Sequence, residues 1–350
     1  MEVKALKFGG LTAKRPIVQG GMGVGVSLSS LAGNVAKCGG IGTISGVHPG
    51  YREADFKENP FRANLRAIGN ELEKAKEIAN GGTIGFNFMT VMNHYEEYVK
   101  EAIAAGADFI VSGAGLPVNL AKYAAGTRAA ILPIVSSARA LKLIVKQWQR
   151  ADRLPDAVVV EGPLAGGHLG YPYGHLVDGT FDTLEDSLVD VVDYVRELEE
   201  KNGVIIPVIA GGGVRSHADM ERLMALGASG VQVGTKFVAT EECDAAPAFK
   251  QAYLRSRKED VQLIESPVGL AARAIRNSFL EKVEKQGRIP VQRCYQCMNH
   301  CKQAETKYCI SQALIDAVQG REGLVFCGAN AYEIEKLSTV EKVMQELCGE

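Results

Sequence analysis

Apolar residues fall along this chain in two rhythms. Short runs rich in β-branched residues occur at positions 16–19, 40–44, 83–87, 109–112, 131–135, 157–161, 207–210 and 230–233, and some, such as Val158–Val160, are apolar continuously rather than alternately. Runs of this kind suit parallel strands covered on both faces. Between them lie stretches with helical periodicity, at 29–37, 64–78, 95–105, 117–125, 138–149, 183–200 and 216–226, and an eighth near 247–258 follows the last strand. In 183–200 the residues Leu184, Leu188, Val191, Val192, Val195 and Leu198 recur every three or four positions, which marks one apolar helix face. Ser216 reads as an N-cap, with Glu221 and Arg222 on the wet side.

Eight strand-then-helix units in about 260 residues predict a (β/α)8 barrel, an α/β TIM-barrel architecture. A doubly wound open sheet is the competing arrangement. The remainder is too long for a barrel tail. The expected organisation is a barrel over 1–259, a cysteine-rich helical lobe or lid over 260–330, and a final stretch, 331–350, whose helix near 340–347 returns to the barrel.

Composition narrows the function. The 350 residues carry 39 Lys and Arg against 41 Asp and Glu, so no electrostatic argument favours nucleic acid or an anionic membrane surface. A hydrophobic fraction of 46% suits a folded chain rather than a disordered one. No apolar run reaches the length of a membrane span, and residues 1–10 lack a signal-peptide core. A cytoplasmic protein acting on a small molecule is expected, with its thiols reduced. Barrels of this kind often pair through helices, and a homodimer is expected on that ground alone.

Candidate chemistry follows the strand ends, where barrels of this type place their sites. After the first strand comes Gly20-Gly21-Met22-Gly23. Asn87 and Met89 follow the third, Ser112-Gly113-Ala114-Gly115 the fourth, and Gly162 to His168 the sixth. Gly211-Gly212-Gly213 follows the seventh and Gly234-Thr235 the eighth. Glycine there lets backbone approach a ligand closely and leaves N–H groups free to donate. The last two loops lie where barrels commonly bind phosphate; the alternative is that these glycines only make tight turns. His168, in a glycine loop at the mouth, is placed to take or give a proton near pH 7, unless it merely bonds its own loop. His175 is a second candidate. His48, His94, His217 and His300 read as surface or capping residues. Asn87, Glu161 and Gln232 end strands with groups able to bond a heterocycle edge.

These segments carry a family pattern. Pro16 to Met22 (PIVQGGM) resembles the opening of the nitronate monooxygenase family, formerly 2-nitropropane dioxygenases, and of the flavin-dependent type II enoyl-acyl-carrier-protein reductases that share its fold. Ala165 to His168 (AGGH) resembles the family's catalytic loop. The stretches PVIAGGG, from Pro207, and GVQVGT, from Gly230, resemble its phosphate loops, and Ala272-Arg273 with Asn277 and Phe279 a motif of its second lobe. The resemblance implies bound FMN, its phosphate on Gly212, Gly213, Gly234 and Thr235 and its ring near Gly21, Met22, Asn87 and Glu161. It also implies flavin contacts from Gly166 and Gln232, and His168 as catalytic histidine. Two departures bear on the reaction. Glu161 stands where nitronate monooxygenases typically carry glutamine and the reductases glutamate, and Pro163-Leu164 replaces the glutamate usual just before Ala165. Tyr171 and Tyr173 could stack on a flat substrate or pack a lid.

Four of the eight cysteines, Cys294, Cys297, Cys301 and Cys309, crowd one short stretch. Their spacing resembles the cluster-binding run of old-yellow-enzyme-like dienoyl reductases and is foreign to the family matched above. Thiolate is a soft ligand, so a 4Fe-4S cluster or zinc, with His300 able to replace one sulfur, stands beside the plain reading of reduced thiols. For the reaction, the expectation is NAD(P)H-driven reduction by FMN of a C=C bond conjugated to a carbonyl, with His168 as general acid or electrophile. The alternative is oxidation of alkyl nitronates with O2. A flavin-free phosphate-binding barrel or a non-catalytic flavin carrier is the third reading.

Overall fold

The computed structural model describes residues 4–299 and 301–350; His300 lies outside the described residues. A hairpin of β1 (Leu6–Phe8) and β2 (Leu11–Ala13) precedes the barrel. Six strands then follow in order: β3 (Ile17–Gln19), β4 (Ile41–Ser45), β5 (Thr83–Met89), β6 (Phe109–Gly113), β7 (Ala130–Val135) and β8 (Val158–Glu161). After an excursion containing β9 (Gly167–Leu169) come β10 (Val208–Gly211) and β11 (Gly230–Val233). These last two join β3 through β8 in a closed parallel barrel, in which β10 pairs with both β8 and β11, and β11 with β3. The open-sheet alternative is thereby excluded, and all eight expected strands fall within one or two positions of those observed.

Closure follows from the residue pattern. Val158, Val159 and Val160 are all buried: alternate residues face the barrel interior and the surrounding helices, so both faces must be apolar. The base of the interior is filled by Val18, Ile41, Phe109, Val111, Leu132, Val159 and Ile209, and the hairpin seals it from below with Leu6 and Phe8. The Phe8 ring meets Phe109 edge-on at 6.1 Å. The open end of the barrel is therefore the C-terminal one.

Helix boundaries track their caps. Helix Leu184–Asn202 starts where Thr183 and Asp186 form a reciprocal capping box, the arrangement that satisfies two orphan donors. Ser216 caps His217–Ala225 as expected. The second helix begins at Pro60, four residues before its expected start, because Asn59 accepts from the Arg62 N–H and proline suits the first turn. The helix expected over 117–125 shrinks to Leu120–Tyr123, and the carbonyl of Pro117 accepts both from the Leu120 N–H at 3.1 Å and from the buried Trp148 indole at 2.9 Å.

The C-terminal region holds strands as well as helices. β12 (Val261–Glu265) and β13 (Ala271–Ile275) form a hairpin, and β13 also pairs with β9 to make a three-stranded sheet above the mouth. The helices Ser278–Gln286 and Ile310–Val318 complete the lobe. The last helix, Val340–Cys348, lies on the barrel's outer layer, where the Leu347 carbonyl accepts from His217 Nδ1 at 2.9 Å and Glu350 pairs with Arg15. No described helix is long and apolar enough to cross a membrane.

Candidate active site at the barrel mouth

Every strand-end residue singled out for a cofactor or for catalysis lines one cavity of about 350 Å³. Gly21, Met22, Asn87, Glu161, Gly166, His168, Gly212, Gly213, Gln232, Gly234 and Thr235 are all on its wall. The volume lies in the range of about 300–1,000 Å³ typical of small-molecule and cofactor sites. Residues from β3, β5, β8, β10 and β11 converge because parallel strands in a closed barrel all end at one rim.

Two glycines show what the rim is built to admit. Gly212 has φ +102°, a conformation side chains rarely adopt, and a Cβ there would lie 2.8 Å from the Gly162 carbonyl oxygen. A Cβ on Gly21 would meet the Asn87 side chain at 2.3 Å. Backbone, rather than side chain, thus forms the cavity floor at both points. Asn87 and Gln232 make no side-chain hydrogen bond to another described residue, so their amides stand available to the cavity. Bare amides after β10 and β11, with unengaged amide side chains nearer β3 and β5, fit a ligand with a phosphoryl end and a heteroaromatic end.

The sequence did not point to residues 326–330, which complete the wall. Phe326 bridges to Ala274 of β13, the Cys327 N–H donates to the Arg273 carbonyl at 3.1 Å, and the Gly328 N–H donates to Thr235 Oγ1 at 3.2 Å. The Ala329 N–H reaches the Leu164 carbonyl at 3.1 Å. The signal available was Gly328 itself, but no strand precedes it, so the strand-end rule passed over it. Arg215 and Lys236 also line the cavity beside the loops after β10 and β11.

His168 sits within β9 rather than in a free loop, paired with Ala272 of β13. Its Nε2 lies 2.8 Å from Ser266 Oγ, and its ring packs edge-on against Phe326 at 5.0 Å. Burial pushes its pKa down to about 4, so the imidazole is neutral at pH 7. A neutral ring can accept a proton or donate one hydrogen bond. Glu161 is shifted the opposite way. Burial raises its carboxyl to about 8, against a smaller pull from the Arg273 charge, so the carboxyl is protonated at pH 7. Arg273 is held in place by its bond to the Ala165 carbonyl. Two titratable groups with pKa values pushed apart in one cavity mark a site for proton handling.

A second cavity of about 550 Å³ opens beside the first. Glu161, His168, Ala114 and Ile134 line both. Its other walls include Leu116, Val135, Leu169, Tyr171, Tyr173 and Leu270, with Ser136, Glu265 and Ser266 as polar points. The Tyr171 hydroxyl donates to the Glu161 carbonyl at 3.0 Å.

Other candidates fall elsewhere. His175 is exposed on the short helix Tyr173–Asp178 and lines neither cavity. His48 is not a surface residue: it is buried, 2.8 Å from Ser311 Oγ and 3.3 Å from Asn64 Nδ2, because helix Ile310–Val318 of the lobe covers it. His94 and His217 lie at helix starts, as expected. Among the described residues, no group of three or more His, Cys, Asp or Glu side chains stands around a single metal position.

Fold and site together define an α/β-barrel enzyme with two adjoining cavities at the C-terminal rim of the barrel. The chain belongs to the nitronate monooxygenase family, whose model matches residues 4–350, and it is an oxidoreductase. A probable nitronate monooxygenase of Staphylococcus saprophyticus is 25% identical over 308 residues, covering 81% of this chain and 82% of that protein. Among solved structures, FabK from Thermotoga maritima superposes with a TM-score of 0.71 at 24% identity, covering 96% of this chain and 92% of that one. Nitroalkane oxidase from Streptomyces ansochromogenes gives 0.65 at 21%, covering 96% and 95%. At these identities the two structures speak for the fold.

Proposed function

We propose that the protein is an FMN-dependent oxidoreductase that uses NAD(P)H to reduce a C=C bond conjugated to a carbonyl on an extended, largely apolar substrate. The observation that carries this reading is the pair of cavities meeting at Glu161 and His168. The 550 Å³ of the second cavity, walled by leucine, valine and tyrosine, is far more than a short alkyl nitronate would fill.

Gly212, Gly213, Gly234 and Thr235 would hold the FMN phosphate through main-chain and hydroxyl donors. Gly21, Met22, Asn87, Gly166 and Gln232 would border the ring, with Glu161 at its far side. When bound, FMN supplies the hydride chemistry, which no side chain can. The chain's own groups govern position and protons. Protonated Glu161 donates a hydrogen bond, and then a proton, toward the polarised substrate. Neutral His168, its ring fixed by Ser266 and Phe326, would orient the carbonyl oxygen through its one N–H, on Nδ1, with Nε2 accepting from the Ser266 hydroxyl. The apolar walls exclude water and strengthen both contacts.

A second reading is favoured by the family match. In nitronate oxidation, neutral His168 would act as base toward a nitroalkane or bind its oxygens, and protonated Glu161 would add no negative charge to repel an anionic nitronate. Steady-state assays separate the two. Rapid anaerobic NAD(P)H oxidation that requires an enone supports reduction. Oxygen uptake with an alkyl nitronate, without pyridine nucleotide and without any enone turnover, overturns it.

A further inference from the structure

The four clustered cysteines form a site of their own, apart from the barrel-mouth cavity. Cys294, Cys297, Cys301 and Cys309 all line a separate cavity of about 230 Å³. None of the eight cysteines is in a disulfide. The segment carrying the first two is anchored to the loop after β5: Met92 bridges to Met298, and the Asn93 N–H donates to the Cys297 carbonyl at 3.1 Å. Between them Gln296 takes a left-handed φ of +52°, and its N–H donates to Cys294 Sγ at 3.3 Å. Cys309 is the N-cap of helix Ile310–Val318, which brings the fourth thiol back to the same wall.

Four thiols converging on one cavity call for a soft, positively charged occupant. The way they stand decides which. A tetrahedral zinc needs four sulfurs at about 2.3 Å from one point; the four cysteines line a cavity of about 230 Å³, and among the described residues no three His, Cys, Asp or Glu side chains are grouped to hold one ion. A cubane cluster has each thiolate on a different iron, so its ligands stand around a volume. We propose that Cys294, Cys297, Cys301 and Cys309 ligate a [4Fe-4S] cluster in this cavity.

Its placement relative to the barrel mouth is close on two sides. Pro267 lines the cysteine cavity, one residue from the Ser266 that bonds His168. Leu314, five residues along the helix from Cys309, lines the barrel-mouth cavity; that is about 7.5 Å of helix rise. The proposal does not depend on flavin.

The test uses the full chain purified without oxygen, then incubated with ferrous iron, sulfide and dithiothreitol and desalted. Iron, acid-labile sulfide and zinc are measured per chain before and after incubation. The proposal expects about four irons and four sulfides. Cys297→Ala and Cys301→Ala should each bring iron to background, while Cys38→Ala, at a cysteine that does not line the cavity, should retain it. The proposal is overturned if wild-type protein holds no iron even after reconstitution, if zinc near one per chain takes its place, or if both cysteine variants keep the iron.

Discussion

Replacing Glu161 with glutamine tests whether this carboxyl is held protonated at the wall between the two cavities. Burial raises it from the ordinary 4.5 to about 8. In the flavin-free protein, below pH 4.5 folded and unfolded states both carry the proton, and the group contributes nothing. As pH rises from 4.5 to 8 the unfolded chain releases a proton that the folded chain retains, so the wild type loses stability across this window. Above 8 both states are ionised and the loss is constant. The interval corresponds to at most about 5 kcal/mol, or roughly 7 °C in Tm for a chain this size. Glutamine has no proton to release. The Tm advantage of Glu161→Gln over wild type, followed by scanning calorimetry from pH 5 to 9, should therefore grow with pH and level off above about 8. A difference that is flat with pH, or largest at low pH, would show that Glu161 ionises normally.

Further outcomes follow from the same geometry. His168→Ala should leave FMN bound while turnover falls on the order of 10²-fold or more; full activity would remove histidine from the chemistry. Gly212→Ala forces a side chain into φ +102° against the Gly162 carbonyl. It should cost about 1–3 kcal/mol in thermal unfolding and weaken FMN retention on desalting, and an unchanged variant would refute the backbone cradle.

How much of this could be read in the sequence depended on the range of the interactions involved. β8 was legible because Val158, Val159 and Val160 are apolar on both faces, and β10 was legible because Val208, Ile209 and Ala210 are as well. Helix starts at Thr183 and Ser216 were legible because capping is written in three or four consecutive residues. The mouth residues were legible because barrel closure brings all the strand ends together, whatever lies between them in the chain. What escaped depends on the lobe. Ser266 is 98 positions from the histidine it bonds. Residues 326–330 reach the cavity only through pairing with β13 and contacts to Thr235 and Leu164. His48 looked like a surface residue until helix Ile310–Val318 was laid over it. No local pattern encodes these contacts, and two of the residues involved, Ser266 and Phe326, hold His168 in place.

The account rests on a flavin gripped by the main chain at the rim of the barrel. Mass spectrometry of the chromophore released from the purified protein by heat tests this most directly, with added FMN followed by fluorescence if none is released. The account predicts FMN at one per chain, or stoichiometric quenching on its addition. A protein that releases no flavin and leaves added FMN fluorescence unchanged would contradict it.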